Sequence, residues 1–224
     1  MPDSMPMAPP PWERAGKERG AVMKRAGILV DVRRCVGCHA CAVSCKTEND
    51  VPLGGFRIRT HYLERPDRPT HIHLPMMCQH CQDAPCMPAC PNEAIVRLPD
   101  GRVEISKSDC QTAGECIKAC PYDAIHIDPQ AHKADKCNLC TQRTDVGLLP
   151  ACVEACPTEA LRFGDFGEPE SLVSSIARRE GAKPLHPEAG TKPTVQYIGL
   201  SPWMDEAVPG IQLHRGEKGI IYEK

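Results

Sequence analysis

Apolar residues in this chain fall in short runs, not in long stripes. The triplets Ile28-Leu29-Val30, Ile72-His73-Leu74 and Val103-Glu104-Ile105 have the β-branched and alternating character of brief strands. A turn-rich loop and room for a short helical turn follow each, so the local unit reads as strand, loop, short helix, strand. Residues 52–69 and 98–101 are dense in turn formers and read as connecting loops. Residues 170–179 have the spacing of one amphipathic helix. The Pro- and Gly-bearing stretch from there to Lys224 lacks the apolar periodicity to fold alone, which predicts an extended tail lying against a partner. No run of about 18 apolar residues occurs, so no membrane-spanning helix is predicted. Residues 1–24 are rich in Pro and Met without the apolar core of a signal peptide, and read as a disordered extension; Met23 is a sensible alternative start. Arg33-Arg34 precedes a cysteine run where a twin-arginine signal needs an apolar stretch, so the pair reads as a solvated strand end.

The predicted loops carry an internal repeat of cysteines in four groups. The first is Cys35-x2-Cys38-x2-Cys41-x3-Cys45, and the second Cys78-x2-Cys81-x4-Cys86-x3-Cys90-Pro91. The third is Cys110-x5-Cys116-x3-Cys120-Pro121. The fourth is Cys137-x2-Cys140, an eleven-residue insertion, then Cys152-x3-Cys156-Pro157. Cys90-Pro-Asn-Glu-Ala-Ile, Cys120-Pro-Tyr-Asp-Ala-Ile and Cys156-Pro-Thr-Glu-Ala-Leu share one template, so the units are copies of each other. They divide the chain into motifs at residues 25–55, 69–100, 101–130 and 131–165, followed by a partner-binding helix and tail at 166–224.

Composition changes what these loops must do. Aromatic residues make up only 4% of the chain, against 15 Cys and 23 Pro, so side chains alone do not fill a large interior. Inorganic clusters held by thiolates crosslink distant segments and supply the missing volume. The tight gaps favour thiolates converging on inorganic centres over pairwise disulfides. In the bacterial two-cluster arrangement the first three cysteines of a run bind one cluster, and the fourth, before proline, reaches across to the other. The short gap from Cys90 to Cys110 pairs the second and third groups, leaving the first and fourth to pair around them. The expected fold is therefore α+β: two interlocked bacterial-ferredoxin-like modules with short strands and helices, plus the extended C-terminal tail.

On this wiring Cys35, Cys38, Cys41 and Cys156 hold the first cluster, and Cys137, Cys140, Cys152 and Cys45 the second. Cys78, Cys81, Cys86 and Cys120 hold the third, and Cys110, Cys116 and Cys90 the fourth. The fourth set is one ligand short, because Ala113 stands where the run needs its second cysteine and a methyl group does not ligate iron. The expected cofactors are three [4Fe-4S] clusters and one [3Fe-4S] cluster; a [4Fe-4S] cluster completed by water or Asp109, or an empty site, is the alternative.

Competing chemistries fit less well. Cys35-Val-Gly-Cys38-His39 has the form of a c-type haem attachment, but Cys41 and Cys45 continue the cluster spacing and leave His39 a loop residue. Cys78-x2-Cys81 and Cys137-x2-Cys140 resemble zinc knuckles, which do not explain the repeated Cys-Pro. The chain is too short for a barrel-based radical enzyme. Arg34, Lys46, Lys107, Lys136 and Arg143 lie near the groups and tune potentials only if they are not solvated, the usual fate of such residues. His61, His71, His73, His80 and His126 show no ligand or acid/base spacing, so no catalytic residue is assigned. A net charge of -2 favours a protein partner over nucleic acid.

The chain resembles the four-cluster iron–sulfur subunits of molybdopterin oxidoreductases of the dimethyl sulfoxide reductase superfamily. The resemblance lies in Asp31-Val-Arg-Arg-Cys-Val-Gly-Cys-His-Ala-Cys with Lys46-Thr-Glu-Asn-Asp-Val-Pro, in Asp135-Lys-Cys-Asn-Leu-Cys, in Leu149-Pro-Ala-Cys-Val-Glu-Ala-Cys-Pro and in Gly190-Thr-Lys-Pro-Thr-Val. These look most like the subunits of polysulfide, thiosulfate, tetrathionate and arsenate reductases. The resemblance implies a non-catalytic electron-transfer subunit that relays electrons between a molybdopterin catalytic subunit and a membrane quinone-reactive subunit. It implies membrane association through partners, on a side the sequence leaves open. A polyferredoxin carrier, or the equivalent subunit of a formate dehydrogenase or hydrogenase, is the alternative. Ala113 departs from the four-cysteine pattern usual in these relatives.

Overall fold

The computed structural model describes residues 23–65, 68–201 and 204. The extension expected at 1–24 thus lies outside the described residues up to position 22, as does nearly all of 202–224. In chain order the described elements are β1 (Ala26–Asp31), α1 (Ala40–Glu48), β2 (Ile58–Arg65), β3 (Arg68–Met77), β4 (Ile95–Arg97), β5 (Val103–Ile105) and α2 (Glu115–Ala119). There follow β6 (His126–Ile127), β7 (Ala134–Asp135), α3 (Thr141–Thr144), α4 (Ala151–Glu154), β8 (Leu161–Asp165), α5 (Leu172–Glu180) and β9 (Gln196–Ile198). Small helices and short strands are mixed throughout, as an α+β ferredoxin-like chain requires.

The two ends of the fold meet in one sheet. β1 lies between β8, antiparallel with Ala26 opposite Asp165, and β9, parallel with Leu29 opposite Gln196. All six β1 residues are buried, which is why this strand reads as a continuous apolar run. α5 covers the sheet by packing Val173 on Leu29 and Ile198. Ser171 caps α5 by accepting from the Ser174 N–H at 3.2 Å, and Gly181 ends it with φ 63°. The other strands form hairpins: β2 with β3, β4 with β5, and β6 with β7. Among the buried members of the main core, nine are cysteines, so the cysteine loops and the core coincide.

Three expectations fail here for identifiable reasons. Residues 52–69 are not all loop, because Ile58–Arg65 pairs along β3. Its buried Ile58 and Leu63 lie five positions apart, on opposite faces, so no apolar alternation shows. The second cysteine group has no helix after it; Pro85 and Pro88 deprive that stretch of backbone donors, and it forms successive turns. The tail, expected to lack a fold of its own, is built into the chain as far as residue 201. Val195, Tyr197 and Ile198 are buried in and beside β9. Lys192 and Thr191 carbonyls accept from the N–H groups of Gln82 and Asp83 at 3.0 Å each, and Thr194 N–H donates to Gln79 O at 2.9 Å. Backbone hydrogen bonds to another loop leave no periodic trace in sequence.

Candidate iron–sulfur cluster sites

The four loops share one backbone. The residue before each second cysteine position is left-handed: Gly37 at φ 68°, His80 at 44°, Thr112 at 61° and Leu139 at 54°. A Cβ on Gly37 would lie 2.7 Å from the His73 ring, which explains glycine there. After each Cys-Pro an acidic residue is left-handed as well, Glu93 at 51°, Asp123 at 46° and Glu159 at 52°. Each donates its N–H back to the cysteine carbonyl, at 3.2, 3.4 and 3.2 Å for Cys90, Cys120 and Cys156. The turn redirects the backbone so that the following strand leaves in a new direction.

These loops gather the thiols in sets. Cys35, Cys38, Cys41 and Cys156 line one cavity with about 320 Å³ of empty space, and Cys78, Cys81, Cys86 and Cys120 line another of about 330 Å³. Cys152 is surrounded by Cys137, Cys45 and Cys140, whose charges act on it. Cys116 faces Cys90 and Cys110 in the same way. In the third loop Thr112 at 61° and Gly114 at 82° flank Ala113 as Gly37 at 68° and His39 at 60° flank Cys38. Ala113 and Cys38 are both exposed. Ala113 therefore occupies the second-cysteine position in three dimensions as well as in the alignment of the repeats.

Among the described residues no three His, Cys, Asp or Glu side chains converge on a single-ion position. The thiols stand around a space, which fits a polynuclear sulfide body better than one zinc ion. All fifteen cysteines are free of disulfides.

Residues 70–166 match the family model described as a 4Fe-4S dicluster domain. One tetrathionate reductase subunit of Salmonella typhimurium is 39% identical over 206 residues, covering 87% of this chain and 82% of the relative. Thiosulfate reductase electron transfer subunit PhsB of Salmonella typhi is 42% identical over 165 residues, 71% of this chain and 83% of that one. One of the polysulfide reductase chains of Wolinella succinogenes is 34% identical over 181 residues, 78% of this protein and 94% of the relative. This protein belongs to the iron–sulfur subunits of the molybdopterin reductases. Its role in that family is electron transfer, and catalysis belongs to the partner molybdenum subunit.

The donor set of this iron–sulfur subunit fits its cofactor. Burial, followed by neighbouring thiols, pushes Cys45, Cys81 and Cys86 up to about 12 and Cys41 to about 11. Such thiols stay protonated at neutral pH unless a metal centre takes the proton's place. Backbone N–H groups already point at sulfur, from Leu139 to Cys137 at 3.4 Å, Ala160 to Cys156 at 3.3 Å and Ala134 to Cys110 at 3.4 Å. Asp109, the alternative fourth ligand, is turned instead to Ser106 at 2.5 Å and Ser108 at 3.2 Å.

The basic residues are less solvated than their type suggests. Arg34 is exposed, but Lys46 donates to the carbonyls of Pro52 at 2.9 Å and Gly55 at 2.6 Å and sits 4.3 Å over the Phe56 ring. Arg143 bridges Glu48 at 3.0 Å and Glu154, joining α1 to α4. Lys107 pairs with Asp135 at 2.6 Å, and Lys136 is buried. Sequence reasoning missed Arg57, which holds Asp135 through bonds of 2.7 and 2.9 Å and also reaches Asn49 at 2.8 Å. Asn49 in turn directs its amide toward the sulfurs of Cys45 and Cys140, at 3.7 and 3.8 Å. Of the histidines, His126 lies 3.6 Å from Asp135. Burial drives it down to about 4, so it is neutral beside a carboxylate already held by Arg57 and Lys107.

Proposed function

We propose that this subunit is a four-station wire in which the four cysteine sets hold clusters in a line. The observation that carries it is the order of neighbouring thiols. Cys41 of the first set and Cys45 of the second are close enough for the charge of an ionised thiol at one to act on the other. So are Cys137 of the second set and Cys78 of the third, and Cys86 of the third and Cys116 of the fourth. Each bound cluster stores and passes one electron. The chain's own residues contribute the thiolate ligands, exclude water from the buried sets and fix the spacing. Three [4Fe-4S] clusters and one three-iron cluster at Cys110, Cys116 and Cys90 complete the proposal, organised as two interlocked modules with the first and fourth groups paired outside the second and third.

The relatives are named as subunits of tetrathionate, thiosulfate and polysulfide reductases, which supports a molybdopterin catalytic subunit at one end. A membrane quinone-reactive subunit stands at the other end. No helix among the described residues is long and apolar enough to cross a membrane. Purification of the native complex, with its chains identified and its iron, sulfide and molybdenum measured, tests this. A stable, monomeric chain that co-purifies with no molybdoenzyme, or a complex with fewer than four titrating iron–sulfur centres, would refute it.

A further inference from the structure

Among the described residues, one buried charge at the middle of this line has no carboxylate as counter-ion. Lys136 is 4% exposed, and lysines are almost never buried without a partner. Its ammonium donates to the carbonyl oxygens of Cys137, at 3.0 Å, and of Val103. Among the described residues it forms no ion pair with a carboxylate. Its chain neighbour Asp135 is already taken by Arg57 and Lys107. Neutral carbonyls do not balance a buried positive charge.

The two carbonyls mark where Lys136 stands. Cys137 belongs to the second cysteine set, and Val103 lines the cavity of the third. The ammonium's charge also acts on the sulfurs on both sides, Cys137 and Cys86. The adjoining His80 is fully buried, accepts from the Val103 N–H at 3.1 Å, and is held neutral by burial and by Lys136 itself, so it supplies no negative charge. Glu104, next to Val103, is turned to Thr141, so among the described residues no carboxylate pairs with the ammonium, and the anions that would balance it are the thiolates of the two sets once they hold clusters.

We propose that Lys136 is the fixed countercharge of the junction between the second and third sites, a positioning residue that makes both central clusters easier to reduce. A thiolate-ligated cluster is negative and gains a further negative charge with each electron, so a cation fixed beside it stabilises the reduced form. One lysine placed between two sites raises both together, which keeps the central step of the wire level. The proposal rests on the four-site wiring given above.

Lys136→Gln keeps a hydrogen-bond donor for the carbonyls and removes the charge, whereas Lys136→Arg keeps the charge. The holo complex of each is titrated by potentiometry with electron paramagnetic resonance detection. The expected result for Lys136→Gln is a negative shift of two midpoint potentials, with the other two and the iron content unchanged, and a return toward the original values in Lys136→Arg. Loss of iron in Lys136→Gln with retention in Lys136→Arg also supports a charge role. Four unchanged potentials at full iron content, a uniform shift of all four, or equal iron loss in both variants would overturn it. Fewer than four titrating centres in the unsubstituted complex would instead refute the wiring itself.

Discussion

Replacing Ala113 by cysteine should complete the fourth site. The third loop already has the backbone of the first, with left-handed residues at Thr112 and Gly114 matching Gly37 and His39. Position 113 is exposed and nothing stands within 4 Å of the adjoining Gly114 Cβ direction, so one added sulfur changes stability by no more than about 0.5 kcal/mol. The effect is concentrated at the cluster. Iron should rise by about one per chain, from about 15 to about 16, as a three-iron cluster becomes a cubane. The negative charge of the new thiolate is offset by the positive charge of the added iron, so the change in potential follows the change of cluster type and not an added net charge. Low-temperature electron paramagnetic resonance of the oxidised protein reads the change directly. The unsubstituted protein should show a near-isotropic three-iron signal that Ala113→Cys loses. The reasoning fails if that signal is absent from the unsubstituted protein, or if it persists in Ala113→Cys with iron unchanged.

The crosswise ligands give a second test: Cys120→Ser should remove the four-iron cluster of Cys78, Cys81 and Cys86 and leave the three-iron signal, whereas loss of the three-iron signal alone would reverse the wiring. Arg57→Met leaves the Asp135 carboxylate, 5% exposed, without its bidentate partner and with Lys107 as its remaining cation, and should cost about 2–3 kcal/mol in denaturant unfolding of the holo protein, below the cost of a wholly unpaired buried charge; a loss below about 1 kcal/mol would show the pair to be dispensable. Stripping iron with a chelator under reducing conditions should abolish the cooperative thermal transition, because nine buried core members are cysteines and aromatic side chains are scarce; a sharp transition in the iron-free chain would contradict this.

The parts of the molecule that were legible beforehand are those where chemistry imposes a spacing. The cysteine groups, the Cys-Pro turns and the place of Ala113 all show in sequence because several ligands from one loop must reach one body. β1 shows because a fully buried strand leaves an apolar run, and β5 because Val103 and Ile105 alternate with Glu104. What stayed hidden is held by the backbone or by single distant contacts. β2 is recruited by pairing with β3 and has no apolar alternation. Thr191, Lys192 and Thr194 attach the tail to the second loop mostly through main-chain groups. The charged residues misled for a related reason: Lys136 and Arg57 look like ordinary surface cations until the fold places thiols and a carboxylate around them, which no local pattern announces.

The pairing of β1 with β8 and β9 sets a timetable for making the protein. Ala26 must wait on the ribosome for Asp165, while β4 and β5 meet across a turn of a few residues. Closing the outer loop costs roughly 3 kcal/mol more in chain entropy than closing the inner one. A nascent chain thus completes its middle first, and its first cysteine loop stays open for Cys156, emerging late, to reach it. Whatever delivers iron in the cell meets a chain that offers its central thiols early and seals its outer ones last.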